Sequence, residues 1–424
     1  MTTLDTERLG RRAEAMLEEL AAISEEPERL TRRFLTPEHK RAAHLVGQWM
    51  AEAGMEATED ALGTVRGHYS REGETPGANV VPRLLIGSHI DTVINAGKYD
   101  GMLGVVAGIL AVEHFRDAGK RFPFAVDVLA FGDEEGVRFP TVLSSSAALA
   151  GRFEERWLAG ADRDGVSLED AMRGYGLDPA AIPSAAMRKD EALAYVEVHI
   201  EQGPVLEQDD QPVGVVTSIA GQNRTRVTVS GMAGHAGTVP MPLRQDALLA
   251  ASEMMLAAEG IAKAHPEAAM VATVGQTKVM PGAINVIPDR VEFVLDLRAA
   301  SDPPRQAALQ EFQARAEARA AARGCSVAFD TYHDCPTAPC APWIVDGLAD
   351  SLASLGLPAP RLVSGAGHDG QSMAHLTDFA MLFVRCKGGI SHNPLESATP
   401  ADMGLAVAAL IRFVEQFDAS RRPI

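Results

Sequence analysis

Cysteine is scarce in this 424-residue chain: Cys325, Cys335, Cys340 and Cys386 are the only four, and no two form a CxxC pair. That spacing argues against a disulfide scaffold and against a thiolate-held structural zinc. With no secretory signal pattern at the start, it predicts reduced thiols and a cytoplasmic location. No apolar run reaches the roughly 18–20 residues that a membrane-spanning helix needs, so no membrane partner is expected. Positive charge is also short: 39 Lys and Arg against 57 Asp and Glu leave a net charge of −18. Nucleic acid is excluded as a partner on that ground, because phosphate binding needs clustered basic residues. Internal repeats and low-complexity tracts are missing too.

What is present is ordinary globular material. Hydrophobic residues make up 46% of the chain, ample for a core, and the length suits two domains or one domain with an insertion. The first stretch, "MTTLDTERLGRRAEAMLEELAAI", reads as an amphipathic helix, and "EHKRAAHLVGQWMAEAG" is a helix that stops at glycine. "RLLIGSH" and "FAVDVLAFGDEEG" are continuous apolar runs ending in polar clusters, as buried parallel strands do. From about residue 218 the texture changes. "RTRVTVSGMAGHAGTVPM" and "DRVEFVLDLRAAS" alternate polar and apolar residues, and two helical segments accompany them. After about 332 the α/β texture returns with "PWIVDGLADSLASLG", "FAMLFVRC" and "ADMGLAVAALIRFVEQF". The predicted fold is α/β, a mixed and mostly parallel sheet domain over 1–217 and 333–424, with a smaller α+β domain inserted at 218–332.

Five segments carry chemistry: "GSHIDT", "KYDGMLG", "GDEEGVRF", "VEVHIEQGP" and "GGISHNPLES". Any one alone is weak, since a lone histidine is usually structural and a Glu-Glu pair is usually a solvated face. Most of them follow strand-like runs, where the active groups of open α/β sheets gather. His89, Asp100, Glu135, His199 and His392 together offer three imidazoles and two carboxylates, a donor set suited to zinc or a similar divalent ion. Five ligands exceed one tetrahedral catalytic site and fit two ions that share a carboxylate. Asp91, two residues after His89, is placed to hold the other imidazole nitrogen. Glu134, beside Glu135, is the natural general base for a metal-bound water.

Taken jointly and in order, these segments resemble the hydantoinase/carbamoylase family of amidases, metal-dependent amidohydrolases related to aminoacylases and di-zinc carboxypeptidases. The resemblance spans most of the chain. It implies that Asp100 bridges two divalent ions per subunit, with His89 and His199 on one and Glu135 and His392 on the other. Zinc is the first expectation, and manganese, cobalt and nickel accept the same ligands. Glu134 falls on the family's general base, and Gln202, His235, Asn285, Arg298 and His368 fall on its substrate shell. On chemical grounds Arg298 is either a bidentate clamp for a substrate carboxylate or a strand salt bridge. His235 and Asn285 can donate to the oxygen that gains charge as water attacks. The inserted domain is implied to act as a lid and to pair with its copy in a homodimer.

The chain departs from the family pattern at two places. Ser145 and Ala147 stand where many relatives carry glycine and a basic residue, and Arg385-Cys386 stands where many carbamoylases have Pro-Ser. The Arg-Cys form resembles the allantoate amidohydrolases. The expected activity is therefore hydrolysis of the ureido C–N bond of a small carboxylate, allantoate or an N-carbamoyl-L-amino acid, releasing ammonia and carbon dioxide. A metallo-aminopeptidase, dipeptidase or aminoacylase on the same scaffold is the alternative. A third reading, a degenerate relative kept as a binding protein, sits poorly with Glu134 and all five ligands in place.

Overall fold

The structure, a computed structural model, describes residues 4–74 and 80–422. The chain divides into two compact units. One runs up to Thr217 and resumes over Cys340–Leu362 and from Ala366; the other comprises Ser218–Pro339 and Val363–Gly365.

The first unit is built on a mixed sheet. Its centre is four neighbouring strands, Ala125–Phe131, Arg83–His89, Ala192–Ile200 and Phe379–Val384, all mutually parallel. Antiparallel neighbours flank them, Val65–Tyr69 on one side and Val213–Ile219 on the other. The apolar runs of the sequence form these central strands, and every residue of Ala125–Phe131 and Phe379–Val384 is buried. Leu84, Leu85 and Ile86 are each 0% exposed, and burying a side chain of this size contributes roughly 1.5–3 kcal/mol. Asp127 is a charged residue inside this apolar set. Its buried carboxylate is compensated by Arg66 at 2.6 Å, His68 at 2.6 Å and Arg83 at 3.4 Å.

Helices cover the sheet. Asp5 caps Thr6–Ala21, Thr36 caps Pro37–Glu52 with proline in its first turn, and Thr399 caps Pro400–Gln416. Met102–Asp117 is apolar nearly all round and correspondingly buried. Gly104 lets that helix lie close to the sheet, because a Cβ there would strike the Val198 carbonyl. Its N-terminus is thereby held at the rim. No described helix is long and apolar enough to cross a membrane.

The second unit is a four-stranded antiparallel sheet in the order Ser326–Cys335, Gly221–Ser230, Arg290–Ala299, Val271–Met280. Helices Ala247–Ala264 and Asp302–Ala322 share its core with Val227, Val229, Val291, Phe293 and Leu295. The alternating segments of the sequence are the two inner strands, with burial alternating along each. The strand Ser326–Cys335 extends the unit past position 332. Two of its four strands, Val271–Met280 and Ser326–Cys335, lie at the edges and expose most of their residues, which blurs the alternation that would mark them in sequence.

Candidate functional site

Parallel strands bring their carboxyl ends together, and the first unit uses four of them. His89 ends the strand Arg83–His89, and His199 is the penultimate residue of Ala192–Ile200. Glu134 and Glu135 follow Ala125–Phe131 through a short turn, and His392 lies beyond Phe379–Val384. Asp100 comes from the loop that enters the buried helix Met102–Asp117.

Asp100 is the centre of the cluster. Its Oδ1 lies 3.1 Å from His199 Nε2 and 3.5 Å from His89 Nε2. Its Oδ2 lies 3.4 Å from His392 Nε2, which is also 3.4 Å from Glu135 Oε2. Each carboxylate oxygen thus faces a different set of partners. Donor atoms within 4.8 Å of one another form three groups: His89, Asp100 and His199; Asp100, Glu135 and His392; and His89, Glu134 and Glu135. All five proposed ligands and the proposed base are brought together.

The imidazoles are oriented for a cation. His89 Nδ1 lies 3.1 Å from the Asp91 carbonyl, and His199 Nδ1 lies 2.9 Å from the Ile200 carbonyl. A ring nitrogen facing a carbonyl must carry the proton, so in the neutral ring Nε2 is the acceptor, and that of His199 takes the Gly101 N–H at 3.2 Å. The His89 Nε2 is buried with no hydrogen-bond partner. Charge balance gives the same answer. Burial raises Glu134 well above the usual carboxylate range against the pull of His89, and burial with Asp100 nearby does the same to Glu135. Burial alone would lower His89, yet Glu134, Asp100 and Asp91 hold it well above its ordinary value. The cluster is short of positive charge. Divalent cations fit this donor set.

The surrounding backbone is shaped for the cluster. Asp91 places its carboxylate 3.4 Å from His89 Nδ1, farther than its own carbonyl. Its two oxygens also accept the backbone N–H groups of Glu134 and Glu135 at 3.2 Å each. Asp133 stands in the left-handed region at φ 60°, and Thr141 and Ser144 donate to its carboxylate at 2.9 and 2.5 Å. Gly101, at φ 72°, sits so close to His89 that a Cβ would strike the imidazole.

Of the proposed substrate residues in this unit, Gln202 donates to Asp100 Oδ2 at 2.7 Å. His368 is 1% exposed, and its ring packs edge-on against His199 with centroids 4.5 Å apart. Burial and the neighbouring His199 push His368 well below its ordinary value. In the second unit His235 and Asn285 lie in adjoining segments, Ala236 N–H donating to the Asn285 carbonyl at 3.0 Å, and His235 is exposed. Arg298 binds Asp296 through Nε at 3.0 Å and Nη2 at 3.1 Å, and Nη1 donates to the Gly365 carbonyl at 2.6 Å. The strand salt bridge is therefore present.

Two of the departures from the family pattern, Arg385 and Ser145, have structural roles. Arg385 forms a two-pronged pair with Asp402 at 3.0 and 2.9 Å and reaches Asp210 at 2.9 Å. Ser145 hydrogen-bonds the backbone of Gly132, just before the acidic turn. Ser391 and Glu396, which sequence reasoning left without roles, both touch the Asp100 loop. Their only signal in sequence was membership of the His392 segment. A cavity of about 610 Å³ lined by Phe153, Leu158, Arg173 and Ile182 contains none of the site residues.

Comparison with known proteins agrees with the geometry. The family description "Peptidase family M20/M25/M40" matches residues 85–416. The chain is 40% identical to an N-carbamoyl-L-amino acid amidohydrolase of Geobacillus stearothermophilus, over 96% of this chain and 98% of that one. It is 39% identical to an allantoate deiminase of Arabidopsis thaliana, over 95% of this chain and 81% of that protein. Among solved structures it is similar to a hydantoinase/carbamoylase family amidase from Burkholderia multivorans, with a TM-score of 0.89, 31% identity and 98% of both chains covered. The resemblance and the α/β fold expected from sequence are borne out.

Proposed function

This chain belongs to peptidase family M20/M25/M40, and from that premise we propose that it is a two-cation hydrolase of the ureido C–N bond in small carboxylates. One observation carries the reading: Asp100 turns one oxygen to His89 and His199 and the other to His392, which also meets Glu135, with Glu134 alongside. The relatives named for allantoate and for N-carbamoyl-L-amino acids support the substrate class.

Cations held by His89, Asp100, His199, Glu135 and His392 would supply a water of lowered pKa and an electrophilic pull on the ureido oxygen. Zinc is the ion proposed, on the imidazole-rich donor set. The Glu134 carboxylate takes the proton from the attacking water and returns it to the departing nitrogen. One water cleaves one ureido C–N bond, and the carbamate so formed loses its remaining C–N bond without further water, so the net products are the free amine, ammonia and carbon dioxide. Asp91 keeps Glu134 and Glu135 in register through their backbone amides. Gln202 and His368 are proposed to orient substrate beside the cluster, and His235 and Asn285 to donate to the developing oxyanion. Arg298 is proposed to bind the substrate carboxylate, with Asp296 holding its guanidinium fork in place.

Pairing of two chains through the second unit belongs to the same proposal. Val271–Met280 is an edge strand, and the adjacent helix exposes Leu256, so this face offers both open backbone and apolar surface to a second copy. A cytoplasmic location is supported by the four cysteines, none of which is in a disulfide. The test is ammonia release from allantoate, N-carbamoyl-L-amino acids and β-ureidopropionate, with dipeptides alongside. Cleavage of dipeptides without ammonia release from any ureido compound would overturn the assignment.

A further inference from the structure

Gly97, Ser391 and Glu396 lie outside the ligand set, yet all three converge on Asp100. Glu396 is 5% exposed. Its Oε1 accepts the backbone N–H groups of Tyr99 at 2.8 Å and of Asp100 at 3.1 Å. The Ser391 hydroxyl stands 2.6 Å from Asp100 Oδ2 and 3.1 Å from Glu396 Oε2. One buried carboxylate therefore grips the Asp100 backbone directly and flanks the hydroxyl that donates to the Asp100 side chain. Gly97 makes the room, because a Cβ there would collide with the Glu396 side chain. The segment that supplies Ser391 and Glu396 also supplies His392. Glu396 thus ties the loop bearing Asp100 to the loop bearing His392.

We propose that Glu396 is a positioning residue that presets the shared carboxylate for cation binding. The proposal rests on the two-cation reading. A carboxylate already held in one rotamer loses little conformational freedom when it takes up a cation, whereas a free one must be ordered at that moment. Asp100 Oδ2 accepts from Ser391 at 2.6 Å and from Gln202 at 2.7 Å, so the Gln202 amide would have to yield its place to a cation while Ser391 keeps the carboxylate in position. Glu396 belongs to none of the three donor groups, so its expected effect is on affinity for the cation rather than on the chemical step.

The experiment is calorimetric titration of the metal-stripped enzyme with zinc or manganese alone, alongside the melting temperature of the metal-free protein. Wild type should take up two ions. Glu396→Ala and Gly97→Ala should each weaken one of the two by about 10–100-fold, the usual cost of removing a group that orients a ligand. Ser391→Ala, which leaves the backbone grip intact, should weaken it less. Glu396→Gln should bind within a few-fold of wild type, since its oxygen still accepts both amides and its N–H reaches the serine oxygen. Saturating metal should restore kcat in Glu396→Ala. If Glu396→Ala fails to fold, Gly97→Ala and Ser391→Ala decide the matter. Wild-type affinity for both ions in those variants, even with a lowered melting temperature, would reduce Glu396 to a loop tie and overturn the proposal. A wild-type protein that binds no ions would instead overturn the two-cation reading beneath it.

Discussion

Asp91 holds Glu134 by its backbone: the Glu134 N–H donates to Asp91 Oδ1 at 3.2 Å, leaving the Glu134 carboxylate free of that contact. The other Asp91 oxygen takes the Glu135 N–H. One side chain thus fixes the position of the proposed base and of a proposed ligand. Asp91→Asn supplies one oxygen where two are used, and its NH₂ faces a backbone donor. Metal content and turnover measured together should show either falling by about 10–100-fold. Unchanged values for both would leave Asp91 as a bystander.

Glu134→Gln keeps size and removes the basic oxygen. Turnover should fall by about 10²–10⁴ while metal content stays at the wild-type level. Turnover within a few-fold of wild type would assign the base elsewhere.

Asp100 belongs to two of the three donor groups. Asp100→Ala should therefore cost at least one ion, and activity with it, when measured by elemental analysis after dialysis. Full occupancy with normal turnover would remove Asp100 from the centre.

Arg298→Ala should spare metal content and weaken carboxylate-bearing substrates by about 2–5 kcal/mol, the scale for leaving one partner of a charged pair unmatched. The same variant also strips Asp296 of its partner. A loss confined to stability, with KM unchanged, would assign Arg298 to the strand salt bridge alone.

His39 predicts acid sensitivity. Burial pushes its imidazole from 6.5 down to about 4, despite the opposing pull of Asp91. Nδ1 lies 3.1 Å from the Tyr175 hydroxyl. Because the folded value is below the unfolded one, the unfolded chain binds the proton first as pH falls. Its neutral form therefore adds no penalty above pH 6.5, and stability drains away between about 6.5 and 4. The loss at the acid end is about 3 kcal/mol. Urea unfolding at pH 7.5 and 4.5 should show a smaller difference in His39→Gln than in wild type; equal differences would exclude this histidine as the source.

The readable part of this protein was the part that periodicity controls. Arg83–His89 and Ala125–Phe131 were legible as buried strands because helices cover a parallel sheet on both faces, leaving no polar alternation. His89 and Glu134-Glu135 were legible because they stand where those runs stop. Asp127 shows where this logic fails: a carboxylate in the middle of a buried strand is tolerated only because Arg66, His68 and Arg83 converge on it. Side-chain partners across long sequence separations lay beyond the sequence altogether. Local pattern placed Asp91 against the His89 ring, where Oδ1 lies 3.4 Å from Nδ1, while only the tertiary structure shows that its carboxylate oxygens also accept the amides of a different loop. Glu396 and Asp100 are 296 residues apart, and no local pattern relates them. Hydrophobic burial is a property of each residue and repeats along the chain, whereas a hydrogen bond depends on which two loops the fold happens to bring within 3 Å.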